Sequence, residues 1–153
     1  MESADGAAMA ERQKIRIFVS SPADVRPERL IAERLIRRLA REFAYHFVVE
    51  PVLWEREPLT AGAHFQDNIV PPRETDLVVC ILWSRLGVTL PRDRFLGAIS
   101  GQPVTGTEWE FEDALAGFRA VKRPDLLLYR KTAPLAADLD NDIVSEDAVR
   151  CRG

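Results

Sequence analysis

Glu110 stands in the first turn of an expected helix, Thr107 to Val121, with Glu108 two residues before it. A carboxylate at a helix N-terminus sits where the aligned peptide dipoles favour its ionised form. There it can face positive charge that develops in a transition state, and it does so best where water is excluded. The same spacing also serves a simpler end. Thr105-x-x-Glu108 and Thr107-x-x-Glu110 both have the form of a capping box, in which the acid stabilises the helix start and nothing more. Other polar groups gather at the ends of apolar runs: Ser20 and Ser21 after Ile15 to Val19, Ser84 and Arg85 after Leu77 to Trp83. Their hydroxyls can meet ribose or phosphate, or can end a strand and cap a turn. Arg85 can bind a pyrophosphate, or lie in solvent or pair with an acid.

The elements that must position these residues follow from the apolar periodicity. Ile15 to Ser20 reads as strand one. Ser21-Pro22-x-Asp24 looks like a helix start, yet a continuing helix would drive Pro27 against the carbonyl of Ala23, so one short turn is expected before the true helix from Pro27. That helix carries Ile31, Leu35, Leu39 and Phe43 at i, i+4 spacing as its expected inner stripe, while Arg34, Arg37, Arg38 and Arg41 cover the other side and Glu33 can pair with Arg37. Arg29 beside Glu28 is expected to be ion-paired and to fix the first loop. Phe47 to Trp54 is strand two, Glu55 to Gly62 a loop, and Ala63 to Val70 a short helix with Phe65 and Ile69 inward, stopped by Pro71-Pro72. Leu77 to Trp83, apolar on both faces, suits a central parallel strand. Val88 to Gly106 has no clear period, and loops of this length are usually functional or mobile. Phe111, Leu115 and Phe118 form the expected core stripe of the next helix, and Asp125 to Tyr129 is strand four. The alternation βαβαβαβ argues a parallel sheet with helices on both faces. In the order 2-1-3-4, the loops after strands one and three meet at the carboxyl edge, where such folds bind ligands.

Bulk properties narrow the classes. The chain has 153 residues, the size of one domain, with 46% hydrophobic and 29% charged residues. A net charge of -3 supplies no general attraction for nucleic acid. Cys80 and Cys151 make neither a disulfide framework nor a metal ligand set, which points to a reducing cytoplasm. No run of about eighteen apolar residues is present to span a membrane. Residues 1–13 read as a flexible leader, 14–132 as the domain, and 133–153 as an irregular acidic tail, a linker or the edge of something larger. His64 is lone, without a Ser or Cys in nucleophile context, and takes no role. Trp54 and Trp83 suit core packing better than base stacking, and Trp109 is expected to be exposed on a partner surface.

Several segments together carry a resemblance: Phe18 to Val25, Glu28-Arg29, Asp76 before the strand ending Leu82-Trp83-Ser84-Arg85-Leu86-Gly87, and Gly106 to Ala114. Over roughly residues 15–131 the chain resembles the TIR-like domain of unknown function found at the N-termini of bacterial NACHT and other STAND-type signalling NTPases. The resemblance implies a flavodoxin-like, three-layer α/β sandwich with sheet order 2-1-3-4, extended by a fifth strand in a full domain. It implies no prosthetic group, NAD as substrate, and homo-oligomers joined to sensor or NTPase domains in bacterial stress or antiphage signalling. Enzymatic TIR domains cleave the nicotinamide-ribose bond of NAD with a glutamate early in the helix after the third strand. Glu110, followed by Phe111 and four positions on by Ala114, matches that glutamate, with Glu108 as second choice. Ser20, Ser21, Ser84 and Arg85 are the expected substrate-binding residues. Enzymatic members often carry Trp four residues before the glutamate; position 106 here is Gly. Two functions from different classes follow: an NAD glycohydrolase gated by assembly, and a noncatalytic interaction module of a sensor. A nucleoside deoxyribosyltransferase-like enzyme would share the fold and an acid in the pocket, but the strand-one loop carries no recognisable signature for it.

Overall fold

Alternating side chains divide strand β1 (Gln13–Ser20) between two cores. Ile17 and Val19 point to one face and Phe18 to the other, all three buried. The computed structural model describes residues 12–53 and 70–134. Within them run a 3-10 turn (Ala23–Val25), α1 (Arg26–Glu42), β2 (Phe47–Val52), a 3-10 turn (Pro72–Glu74), β3 (Leu77–Leu82), α2 (Gly106–Val121) and β4 (Asp125–Arg130). The four described strands form one parallel sheet in the order β2-β1-β3-β4. With α1 packed on one face and α2 on the other, this is the flavodoxin-like three-layer arrangement expected from the sequence. Among the described residues no helix is long and apolar enough to cross a membrane.

The conflict between Ser21 and Pro27 resolves as a break in the helix. The turn ends at Val25, whose φ of -113° and ψ of 27° are not helical, and α1 begins at Arg26 with Pro27 in its first turn, where no amide is needed. Glu28 in the first turn and Arg41 in the last complement the helix dipole.

Several local expectations are corrected. On α1, Ile31, Leu35 and Phe43 are exposed, and the buried positions are Arg29, Glu33 and Ile36. The apolar stripe is real, but only its inner edge, Ile36 with Ala32, reaches the core. On α2 the buried residues are Gly106, Thr107, Glu110, Asp113 and Ala114, while Phe111, Leu115 and Phe118 are half-buried. Buried acids hold that face, so polarity alone misassigns it. Gln13, expected in the leader, already belongs to β1, and β2 ends at Val52. Trp54, the Glu55 to Gly62 loop, His64, and the Ala63 to Val70 helix apart from Val70 lie outside the described residues, as do 135–153 of the tail.

Val88 to Gly106 is not shapeless. Thr89 pairs with Thr105 and Leu96 with Pro103 in antiparallel bridges, and the loop buries Leu90, Phe95 and Val104. Trp109 meets Phe95 edge-on at 5.6 Å between ring centroids, and is half-buried rather than exposed. The carboxylate of Glu112 accepts from the amides of Ile99 and Ser100 at 2.8 and 2.9 Å and from the Ser100 hydroxyl, pinning the loop tip to α2. A Cβ on Gly97 would collide with Glu112 and Ser100, so this fastening requires glycine there.

Candidate active site

Ser20 is the last residue of β1 and lies on the α2 face, with the same parity as Phe18. Its neighbour in register on β3 is Cys80. Above both stands the first turn of α2. The Ser20 hydroxyl donates to Glu110 Oε2 at 2.6 Å, and both residues are buried, at 0% and 3% exposure. A hydrogen bond to a carboxylate inside a protein is stronger than a neutral one and fixes the acid's orientation.

The choice between two capping boxes is settled by geometry. Thr105 is the N-cap: its side chain accepts from the Glu108 amide at 3.3 Å, and Glu108 Oε2 accepts from the Thr105 amide at 2.8 Å. Thr105 is extended and Gly106 is the first helical residue, so Thr107 lies inside the helix and cannot cap it. Glu108 is therefore the capping acid, and Glu110 points inward to Ser20.

The thiol beside this pair is held neutral. Burial pushes the Cys80 thiol up to about 11; a hydrogen bond with Ser20 opposes this shift and the negative charge of Glu110 adds to it. At neutral pH Cys80 is a protonated thiol beside Ser20 and not a nucleophile. Beside Glu110 opens a cleft of about 160 Å³, lined by Ser21, Pro22 and Ala23 from the first loop, Gly87 and Val88 from the third, and Gly106 and Thr107 of α2. Gly87 has φ +92°, and a side chain there would crowd the Thr107 hydroxyl at 3.3 Å.

The first loop is held from two sides. Arg29, 3% exposed, donates through Nη1 to the Ser21 carbonyl at 3.2 Å and to its hydroxyl at 3.0 Å, so it fixes the loop as expected. Asp24 Oδ2 accepts from the amide and hydroxyl of Ser84, at 3.0 and 2.8 Å, and from the Arg85 amide at 3.1 Å. Beneath α2, buried Asp113 accepts from the Arg73 amide at 2.8 Å and from its Nε at 2.6 Å, tying the helix to the turn before β3.

Of the residues expected from sequence, Ser20, Ser21 and Glu110 come together. Ser84 and Arg85 do not line this cleft. They tie the third loop to the first, and Ser84 borders a separate cleft of about 360 Å³ with Trp83 and residues 130–133. Sequence reading missed Asp24 as the tie between loops, Cys80 as the neighbour of Ser20, and the Asp113 clamp. The ends of β1 and β3 are adjacent in the 2-1-3-4 order, so Cys80 beside Ser20 could have been found by aligning those strand ends. Among the described residues no cluster of three or more His, Cys, Asp or Glu side chains stands ready to hold a metal ion. The chain matches no family model, no curated protein and no solved structure.

Proposed function

We propose that this chain is a TIR-like effector domain that cleaves the nicotinamide-ribose bond of NAD when its copies assemble. The observation that carries the reading is the buried Ser20–Glu110 pair at 2.6 Å, with helix capping left to Glu108. The helix start therefore does not account for an acid at position 110. As the C1′–N bond breaks, nicotinamide leaves with the bonding electrons and the ribose becomes oxocarbenium-like. The Glu110 carboxylate faces that charge, held in place by Ser20, and water adds at C1′ to give ADP-ribose and a proton. No prosthetic group takes part in this scheme, and the domain would act in the cytoplasm as the effector of a sensor in stress or antiphage signalling.

The volume of the cleft supports dependence on assembly. Small-molecule sites usually enclose about 300–1,000 Å³, whereas this one encloses about 160 Å³. It takes the reacting end of a dinucleotide and leaves the rest to a neighbouring copy. The same small volume favours the second reading, a noncatalytic interaction module of a STAND-type NTPase, in which Glu110 and Ser20 only brace the fold.

Nicotinamide release from NAD, followed across a protein dilution series and on a fusion to a tetramerising coiled coil, separates the two. The effector reading expects specific activity that falls on dilution and is restored by the coil. Activity constant across the series would remove the assembly requirement. No release from the clustered protein would leave the interaction module.

A further inference from the structure

A cavity of about 760 Å³ lies on the sheet face opposite Glu110. Its walls are the outer half of the α1 stripe and the outer strand. Ile31 and Leu35 are 63% and 54% exposed, and Leu127 and Tyr129, which pair in register with Val79 and Ile81, are 43% and 56% exposed. Burying such side chains is favourable, so a groove of this composition calls for an occupant.

We propose that residues 135–153 of this same chain pack into the groove and complete the α1 layer. Position is the first reason. The chain leaves the described fold at its mouth: Thr132 and Ala133 line it, and the Ala133 carbonyl is held by Trp83 Nε1 at 2.9 Å, fixing the exit. A tethered segment starts there at an effective concentration in the millimolar range. Length is the second. The nineteen residues from 135 to 153 outnumber the 17 of α1, along which they must lie. Leu135, Leu139 and Ile143 follow at four-residue spacing, as an apolar stripe facing α1 requires.

Charge is the third reason. Arg130 and Lys131 line the groove, Lys131 paired with lining Glu28, and exposed Arg34 and Arg38 follow Ile31 and Leu35 by three residues on α1, Arg38 within 3.8 Å of Glu42. The tail carries Asp138, Asp140, Asp142, Glu146 and Asp147 against Arg150 and Arg152, an acidic segment that can pair with Arg130 and with the exposed arginines of α1.

The test uses the full chain. A nitroxide is attached at Cys151, while Cys80, 1% exposed, stays unlabelled in the folded protein. Methyl signals of Ile31, Leu35 and Leu127 are then compared with and without reduction of the label. Tail docking expects broadening of these signals, independent of protein concentration and largely lost on Leu139→Asp with Ile143→Asp. No broadening in the parent overturns it. Broadening seen only when labelled and unlabelled chains are mixed also overturns it, in favour of a second copy. Persistence in the double variant would show that the stripe does not seat the tail and would overturn the proposed packing.

Discussion

The two faces of the sheet are held by different physics. On the α2 face, buried acids are each matched to a donor: Glu110 to Ser20, Asp113 to Arg73, with Glu112 reaching out to the loop above. On the α1 face, buried Arg29 and Glu33 apart, the core is apolar, with Ile17, Val19, Val25, Ile36 and Ile81 around a centre that opens into the apolar groove. Directional bonds fix atoms to within fractions of an ångström, as chemistry demands. Apolar surface is non-directional and accepts whatever fits it. One sheet thus presents a candidate reaction site on one side and a packing surface on the other.

That contrast can be broken at its strongest point first. Asp113→Ala removes a 1% exposed carboxylate from the Arg73 amide and guanidinium and should cost about 2–3 kcal/mol, as hydrogen bonds to charged groups do, read from the urea midpoint. A loss below about 0.5 kcal/mol, the range of ordinary surface changes, would mean that polar pinning does not hold the α2 face. Thr105→Ala removes the side-chain half of the capping box and should cost about 1 kcal/mol; a neutral result would return the capping role to another residue.

The smallest effect is pH-dependent. Burial pushes Glu112 up, but the Ser100 and Ile99 amides and the Ser100 hydroxyl outweigh it and hold its carboxyl below the ordinary 4.5. A carboxyl lowered in the folded state adds stability above its unfolded value, and that stability fades as pH falls through the lower folded value. The Val88 to Gly106 loop should therefore loosen as the solution is acidified below pH 4.5, seen as increased solvent exposure of Trp109 on the Phe95 edge. Glu112→Gln should abolish that step. An unchanged acid transition in the variant would assign it elsewhere.

The sheet order was legible because Ile15 to Val19 and Leu77 to Leu82 are apolar enough to be central strands and short joins force parallel crossovers. The meeting of Ser20 with Glu110 followed from that order. What covers α1 was not legible, since i, i+4 spacing reveals an apolar stripe and not its partner; Leu35 and Ile36 look alike in sequence and differ fully in burial. On α2 the rule that acids face water failed at Glu110 and Asp113 because each has a donor delivered from 40 or more residues away. The overlapping capping boxes could not be separated either, because that depends on which threonine keeps extended backbone.

Glu110 is assigned to chemistry and Glu108 to the helix, and this division is what nicotinamide release from NAD by clustered Glu110→Gln, beside clustered Glu108→Gln and parent, puts at risk. The amide introduced by Glu110→Gln can still accept from Ser20, and the one introduced by Glu108→Gln can still serve the capping box, so both variants should fold. Release should drop on the order of 100- to 1,000-fold in Glu110→Gln, the scale on which removing a transition-state electrostatic partner acts, with Glu108→Gln close to parent. Equal cleavage by all three, or loss in Glu108→Gln alone, would overturn the assignment.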